Sequence, residues 1–238
     1  MRARAAAAAA AALVLLAGAA AGCGGSSETV TRTVTTDRLP GTTTAPAAPA
    51  TAPATSPTAP SGPGEGSLPP PDALAGLRNG VARPLGDAQS FVDALYQAGD
   101  PVKPSAVARL SASGYAGGIL RDQVGQDPAR GIALFRTYAL ALRDDAAASA
   151  EVGAAVEEVR ASTSQPTRDL DLSDLPGAQG LHVDIQQGTL TGAVVFVTFA
   201  SGPVVYGLQG VSTNTATLPE DEIVGAARDL YERVTAAP

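Results

Sequence analysis

The sequence lacks tryptophan, and it contains one cysteine, one histidine and one methionine among 238 residues. A lone cysteine forms no intramolecular disulfide and cannot build a cysteine-rich zinc site. The single histidine, His182, would have to serve any Ser-His-Asp triad, and no G-x-S-x-G motif supplies a nucleophilic serine. Without tryptophan, an aromatic platform for sugars is also disfavoured. We therefore expect a protein that is not an enzyme and that carries no cofactor and no metal ion.

Basic side chains are scarce as well. The formal net charge is −7, and Lys103 is the one lysine. From Asp72 to the C-terminus there are 20 acidic and 12 basic residues, so the part of the chain with regular apolar spacing is the more negative. Such a surface repels phosphate backbones and anionic headgroups. We therefore expect no nucleic-acid partner and no electrostatic docking on a membrane.

Composition divides the chain into three parts, which are residues 1–22, 23–71 and 72–238. The middle part is rich in Thr, Pro, Ala, Gly and Ser and lacks apolar periodicity. Because proline disfavours both helix and sheet, we predict a disordered, partly polyproline-II linker here. The linker is either a bare spacer or one whose threonines carry O-linked sugar. The last part is long enough for a single domain with its own core.

The first 22 residues have the layout of a secretory signal peptide. Arg2 and Arg4 give a positive start, and the apolar run that follows ends in small residues. The run is short and alanine-rich for a permanent spanning helix, which needs roughly 20 apolar residues. Two alternatives stay open: plain secretion after cleavage at an A-x-A site within residues 17–21, and retention as an uncleaved anchor.

Ala20-Ala21-Gly22-Cys23 resembles the lipobox of bacterial lipoproteins, with alanine where that family usually has leucine. The resemblance implies that a diacylglyceryl group is joined to the Cys23 thiol and that a peptidase cuts between Gly22 and Cys23. Acylation removes a free thiol that would be a liability outside the cell. Two or three acyl chains on one residue also anchor a protein stably, whereas one chain does not. We therefore predict lipidation at Cys23 and attachment to the outer face of the cell membrane.

Three helices are predicted in the last part of the chain. Each begins at a polar residue that can cap its first turn. These caps are Asp87, Asp144 or Asp145, and Thr217 with Glu220 in a T-x-x-E capping box. The segment 105–125 is ambiguous, and we interpret it as a strand with a bend or with a close backbone contact. Its glycines lack the G-x-G-x-x-G spacing of a phosphate-binding loop.

Alternating apolar and polar residues indicate strands at 131–142 and 181–187. In the second strand, Leu181, Val183 and Ile185 are predicted to face the core and His182 to face solvent. Residues 192–210 indicate a hairpin with Ser201-Gly202 at its turn. Its first strand is apolar on both faces, which is typical of a central strand covered by helices.

Short links between neighbouring strands favour antiparallel pairing, so we predict an α+β fold with helices packed on an antiparallel sheet. In the order of its elements, roughly residues 85–236 resemble the α/β/α sandwich of the Mog1/PsbP-like fold, which is found in actinobacterial cell-wall lipoproteins. A PepSY-like or cystatin-like curled sheet is the competing architecture.

Asp169, Asp171 and Asp174 form a D-x-D-x-x-D run that suggests a calcium loop. An EF-hand loop needs glycine at its sixth position, where this chain has Asp174. We therefore prefer a strand with Leu170 and Leu172 facing inward.

Two hypotheses about function remain. The favoured one is a non-catalytic binding or interaction module at the membrane surface, with a small ligand or an envelope protein as partner. The alternative is a structural or assembly accessory of the cell envelope, and a hydrolase with an unrecognised site is a minor third. A deep apolar pocket with a few polar groups would favour ligand binding, whereas a large exposed apolar patch would favour a protein partner.

Overall fold

An antiparallel sheet forms the centre of the protein. The computed structural model describes residues 62–127, 129, 131–187, 190–213 and 218–236. Its eight strands are β1 (Leu77–Arg78), β2 (Arg83–Leu85), β3 (Gly117–Gly125), β4 (Leu134–Ala141), β5 (Thr167–Asp169), β6 (Gln179–Gln187), β7 (Leu190–Ser201) and β8 (Val204–Ser212). They lie in the order β1-β3-β4-β8-β7-β6-β5, and β2 also pairs with β3. The described helices are α1 (Ala88–Leu95), α2 (Lys103–Ala112), α3 (Asp145–Ser162) and α4 (Glu220–Thr235). The predicted α+β class with an antiparallel sheet is confirmed.

Helices cover both faces of the sheet. On one face α4 packs through Ile223, Ala227 and Leu230 against strand residues such as Leu208 and Phe199. On the other face, α1, α2 and α3 share a second cluster of buried side chains with the strands. β7 contributes to both clusters, with Val195 and Val197 on the α4 face and Phe196 on the α3 face, which confirms that it is apolar on both sides. None of the described helices is long and apolar enough to cross a bilayer.

Side-chain caps start two of the helices as predicted. The Asp87 carboxylate accepts a hydrogen bond from the Ser90 backbone N–H at 2.7 Å, and Asp144 accepts one from Ala147 at 2.8 Å. Each bond satisfies a donor that a first helical turn leaves free. α4 begins directly after Pro219, and Thr217, the predicted cap of that helix, lies outside the described residues.

Two local predictions were wrong and one was displaced. Residues 105–125 contain most of helix α2 before strand β3, because buried Ala106 and Leu110 form a helical stripe that the neighbouring serines and glycines obscured. The strand expected to carry Leu170 and Leu172 ends before them at Asp169, although Leu172 is buried. The β7–β8 turn is formed by Gly202 and Pro203, one residue later than predicted, and Gly202 has a φ of 57°.

The fold also begins earlier than the predicted boundary at Asp72. Leu68 is buried in the α4-face cluster, and the buried Arg121 side chain donates a hydrogen bond to the Pro69 carbonyl at 2.8 Å and pairs with Glu65 at 2.5 Å. Proline carbonyls accept hydrogen bonds as well as any others. A proline-rich stretch can therefore lie on a core without the periodicity of a helix or strand.

Candidate ligand-binding groove

An open groove lies on the face of the sheet that α3 covers. Its walls are α3 and the segment between α1 and α2, and its floor is formed by β4, β6, β7 and β8. Its volume is about 150 Å³. An apolar cavity of about 150 Å³ in another protein holds a benzene molecule, so the groove has the size of a small organic ligand.

At one end, the floor of the groove is apolar, although the hydroxyl-bearing Ser162 and Thr163 also line the groove where α3 ends. The alternation of β6 places Val183 and Ile185 on this face, where they are joined by Val194 and Phe196 of β7. Their partner on α3 is Val159. The α3 residue one turn earlier is Ala155, which also lines the groove. Its methyl group is too small to fill the space above the sheet, so the apolar floor stays open.

The other end is polar. Arg136 on β4 and Gln209 on β8 are directly paired across the two strands, and both side chains line the groove. Gln97 and Asp100 approach from the segment between α1 and α2. The groove thus joins an apolar floor to a small group of polar side chains.

The charge of Arg136 is partly compensated by Asp122, its cross-strand neighbour on β3, which also pairs with Arg83 at 3.3 Å. The Arg136 Nε donates to Asp122 Oδ1 at 2.6 Å and its Nη2 to Asp122 Oδ2 at 3.3 Å, while Nη1 donates to the Leu95 carbonyl at 3.2 Å. Each terminal nitrogen of a guanidinium carries two N–H groups. One N–H on each of these nitrogens therefore has no partner among the described residues.

Asp100 and Gln209 have polar atoms that the fold does not use. Asp100 accepts a hydrogen bond from the Val102 N–H at 2.9 Å, but no cation pairs with it in the described part of the chain. The Gln209 amide makes no side-chain hydrogen bond to any described residue. Both groups can therefore contact a ligand without breaking an internal interaction.

A cluster of charged side chains supports the wall of the groove. Arg109 on α2 binds both oxygens of Glu151 on α3, with distances of 2.9 and 3.0 Å, and reaches Glu158 at 2.5 Å. Tyr96, which lines the groove, donates its hydroxyl to Glu158. Burial raises the pKa of Glu151, which is 5% exposed, although Arg109 opposes the rise. The cluster holds α2, α3 and the Tyr96 segment together.

Tyr138 forms the inner wall. Its ring packs edge-on against Phe91, with centroids 5.4 Å apart, and burial raises its pKa, so its hydroxyl stays protonated. The ring lies directly over Gly207 of β8, where a Cβ atom would be 2.1 Å from Tyr138 Cζ. The ring can occupy this position only because residue 207 has no side chain.

The sequence predicted that His182 faces solvent, but the structure shows that its side chain is largely covered. Its side chain is 13% exposed, with Nδ1 2.6 Å from Glu220 Oε2 and Nε2 3.2 Å from Asp184 Oδ1. Arg168 also binds Glu220. Burial alone would raise the pKa of Glu220, but the hydrogen bonds from Arg168 and His182 lower it. Within the described residues, no hydroxyl or thiol group hydrogen-bonds to the imidazole.

The remaining candidate residues do not converge. Asp169 pairs with Arg160, Asp174 pairs with Arg228, and Asp171 accepts a hydrogen bond from the Ser173 N–H. In the part of the chain that the structure describes, no three His, Cys, Asp or Glu residues are grouped as metal ligands. Cys23 and Gly22, the predicted lipidation and cleavage sites, lie outside the described residues.

Sequence reasoning missed the groove because its residues come from distant segments. The available signal was a long polar side chain in each of two largely apolar strands, namely Arg136 in LFRTYALA and Gln209 in VVYGLQGVS. A long polar side chain that is half-buried on a strand face needs a partner or a function.

Comparisons with known proteins identify no family for this chain. No family model matches the chain, and no curated protein matches it. Among solved structures, the chain is similar to the extracellular domain of PknH from Mycobacterium tuberculosis, with 10% sequence identity and a TM-score of 0.40. The match covers 68% of this chain and 86% of the PknH domain. A similarity at this level assigns no family and transfers no function.

Proposed function

We propose that this protein is a lipid-anchored extracytoplasmic binding module that holds a small, largely apolar molecule in the groove under α3. The observation that carries the proposal is the groove itself, with an apolar floor and a few converging polar groups at one end. Ligand sites in proteins have this composition. No histidine or cysteine lines the groove among the described residues, so the proposed role is binding and not catalysis.

The anchor in this proposal is supported by the sequence of the first 23 residues. They combine a basic start, an apolar run and Cys23 at the position where bacterial lipoproteins are acylated. Residues 24–61 would then connect the acylated cysteine to the domain. An extended proline-rich chain rises about 3 Å per residue, so these residues would reach on the order of 100 Å from the bilayer.

Replacing Cys23 with alanine tests the anchor. In membranes of the host organism, the mature wild-type chain is expected to begin at Cys23 and to carry the mass of its acyl groups. The Cys23→Ala variant is expected to lack both features and to leave the membrane fraction. Intact-mass spectrometry of both proteins measures this. A wild-type chain without added mass, released into the medium, would contradict lipidation.

Filling the groove tests the ligand site. The Ala155→Phe variant places a ring over the apolar floor and is expected to lower the affinity for 1-octanol at least tenfold, measured by isothermal titration calorimetry. Ala150→Phe is the matched control, because Ala150 lies on the same helix and is exposed; we expect a change of less than about twofold. If 1-octanol binds a folded Ala155→Phe protein as it binds the wild type, the groove is not the site.

A further inference from the structure

We infer that the groove binds an uncharged amphiphile with a hydroxyl-bearing head and a short apolar chain. This inference deepens the proposed function and depends on it. The head would lie at the end formed by Arg136, Gln209, Gln97 and Asp100, and the chain would lie over Val183, Ile185 and Val194. The charges and the unused hydrogen-bonding groups of the polar end select this kind of head.

An anionic head is disfavoured because the charges around this end already balance. Arg136 is paired through two of its nitrogens with Asp122, at 2.6 and 3.3 Å, and Asp122 also pairs with Arg83 at 3.3 Å, so that two arginines face the two carboxylates of Asp122 and Asp100. The Asp100 carboxylate lines the same end and pairs with no cation among the described residues. A carboxylate or phosphate head would therefore add a second negative charge beside Asp100 in a domain that is itself acidic.

A cationic head is disfavoured because the free groups of Arg136 are hydrogen-bond donors. An ammonium group donates hydrogen bonds and accepts none. It would leave the two free N–H groups of Arg136 without an acceptor and would lie near a guanidinium charge. Closing a polar end over unpaired donors is unfavourable.

A hydroxyl group matches both kinds of partner. It accepts from the free N–H groups of Arg136 or from the Gln209 amide, and it donates to Asp100 or to the Gln209 carbonyl oxygen. A head with two neighbouring hydroxyl groups, such as a glycerol ester, satisfies donors and acceptors at once. Arg136, Gln209 and Asp100 then each keep a hydrogen-bond partner when the ligand displaces water.

The volume limits the apolar part. A space of about 150 Å³ holds a benzene-sized molecule when closed, and the groove is open at its rim. A chain of roughly eight carbons, part of it reaching the rim, suits this space. Much longer chains would extend into solvent.

Three probes with the same chain and different heads test the inference: 1-octanoylglycerol, octanoate and octylamine, titrated calorimetrically near neutral pH into the wild-type protein. The glycerol ester is expected to bind at least tenfold more tightly than either charged probe. Tightest binding of octanoate or of octylamine would overturn the inference.

Two variants assign the selectivity to residues. Gln209→Leu is expected to weaken binding of 1-octanoylglycerol at least fivefold, whereas Gln186→Leu, at an exposed position of β6, leaves it unchanged. Asp100→Asn keeps an acceptor for the Val102 N–H and removes the charge, so octanoate should bind it several-fold more tightly than the wild type. Equal effects of the two glutamine variants would contradict the assignment.

The 1-octanol titration distinguishes a failure of the proposed function from a failure of the inference about the head. If 1-octanol and all three probes fail to bind, the proposed function itself is wrong. If 1-octanol binds in the groove and the three heads are not distinguished, the groove is a ligand site and only the inference about the head is wrong.

Discussion

The Arg109→Met variant is expected to lose about 3–5 kcal/mol of the free energy of unfolding, because a buried ion pair that loses one partner leaves an uncompensated charge. Arg109 makes two hydrogen bonds to Glu151 and one to Glu158. Methionine fills part of the space but neutralises neither carboxylate. Urea unfolding of both proteins measures the difference. The matched control is Arg228→Met, whose pair with Asp174 is exposed to solvent and should contribute little to stability.

The loss should grow as the pH rises. Burial raises the pKa of Glu151 above its ordinary value of 4.5, and Arg109 opposes that rise. A carboxyl group whose pKa is higher in the folded state binds protons more tightly there, so it lowers stability as pH rises through the interval between its unfolded and folded pKa values. Without Arg109 the pKa of Glu151 rises further and this interval widens upward.

Urea unfolding of Arg109→Met and of the wild type at about pH 5 and about pH 7.5 tests whether the loss of stability grows with pH. The destabilisation relative to wild type should be larger at the higher pH. Adding Glu151→Gln to the variant removes the buried charge and should recover part of the loss and most of its pH dependence. A loss below about 1 kcal/mol, or one that is equal at both pH values, would contradict the role given to this cluster.

The Gly207→Ala variant is expected to lose about 1–3 kcal/mol, or somewhat more, through overpacking. The new Cβ would lie 2.1 Å from Tyr138 Cζ and 2.4 Å from Cε1. These atoms belong to a rigid, buried ring that also packs against Phe91. The ring can relieve the overlap only by moving, and the groove is the open space beside it, so affinity for 1-octanol should fall as well.

Gly210→Ala is the comparison for Gly207→Ala. Its Cβ would approach Ile223 Cδ1 to 2.2 Å on the opposite face of the sheet. This atom is the terminal methyl group of isoleucine, which can move by rotation about χ2, whereas the Tyr138 atoms belong to a rigid ring. We therefore expect a smaller loss of stability and no change in 1-octanol affinity. If Gly210→Ala is the more damaging variant, or if it alone weakens 1-octanol binding, the account of Tyr138 is wrong.

The sequence pattern predicted those helices and strands that are determined by residues close together in the chain. The alternation of Leu181, Val183 and Ile185 gave β6 and the face on which its apolar side chains lie. Asp87 and Asp144 marked the beginnings of α1 and α3 because the caps act within three residues. The two apolar faces of β7 indicated a central strand, and helices cover both of them.

The parts that sequence did not predict depend on distant partners. His182 is covered by Glu220, 38 residues later in the chain, and the segment containing Leu68 is buried by strands and a helix far beyond it. Arg136 and Gln209 become neighbours only through the pairing of β4 with β8. Ala155 lines the groove at one position of α3, and no periodicity shows which alanine faces an unfilled space.

The most direct test of the proposed function is a titration of isoleucine δ1-methyl-labelled protein with 1-octanol, followed by NMR. Ile185 lines the groove, whereas Ile119, Ile132 and Ile223 belong to the cluster on the opposite face. We predict a saturable shift of the Ile185 methyl signal and little change in the other three. Shifts confined to the other three signals, or no saturable shift at Ile185, would contradict a ligand site in this groove.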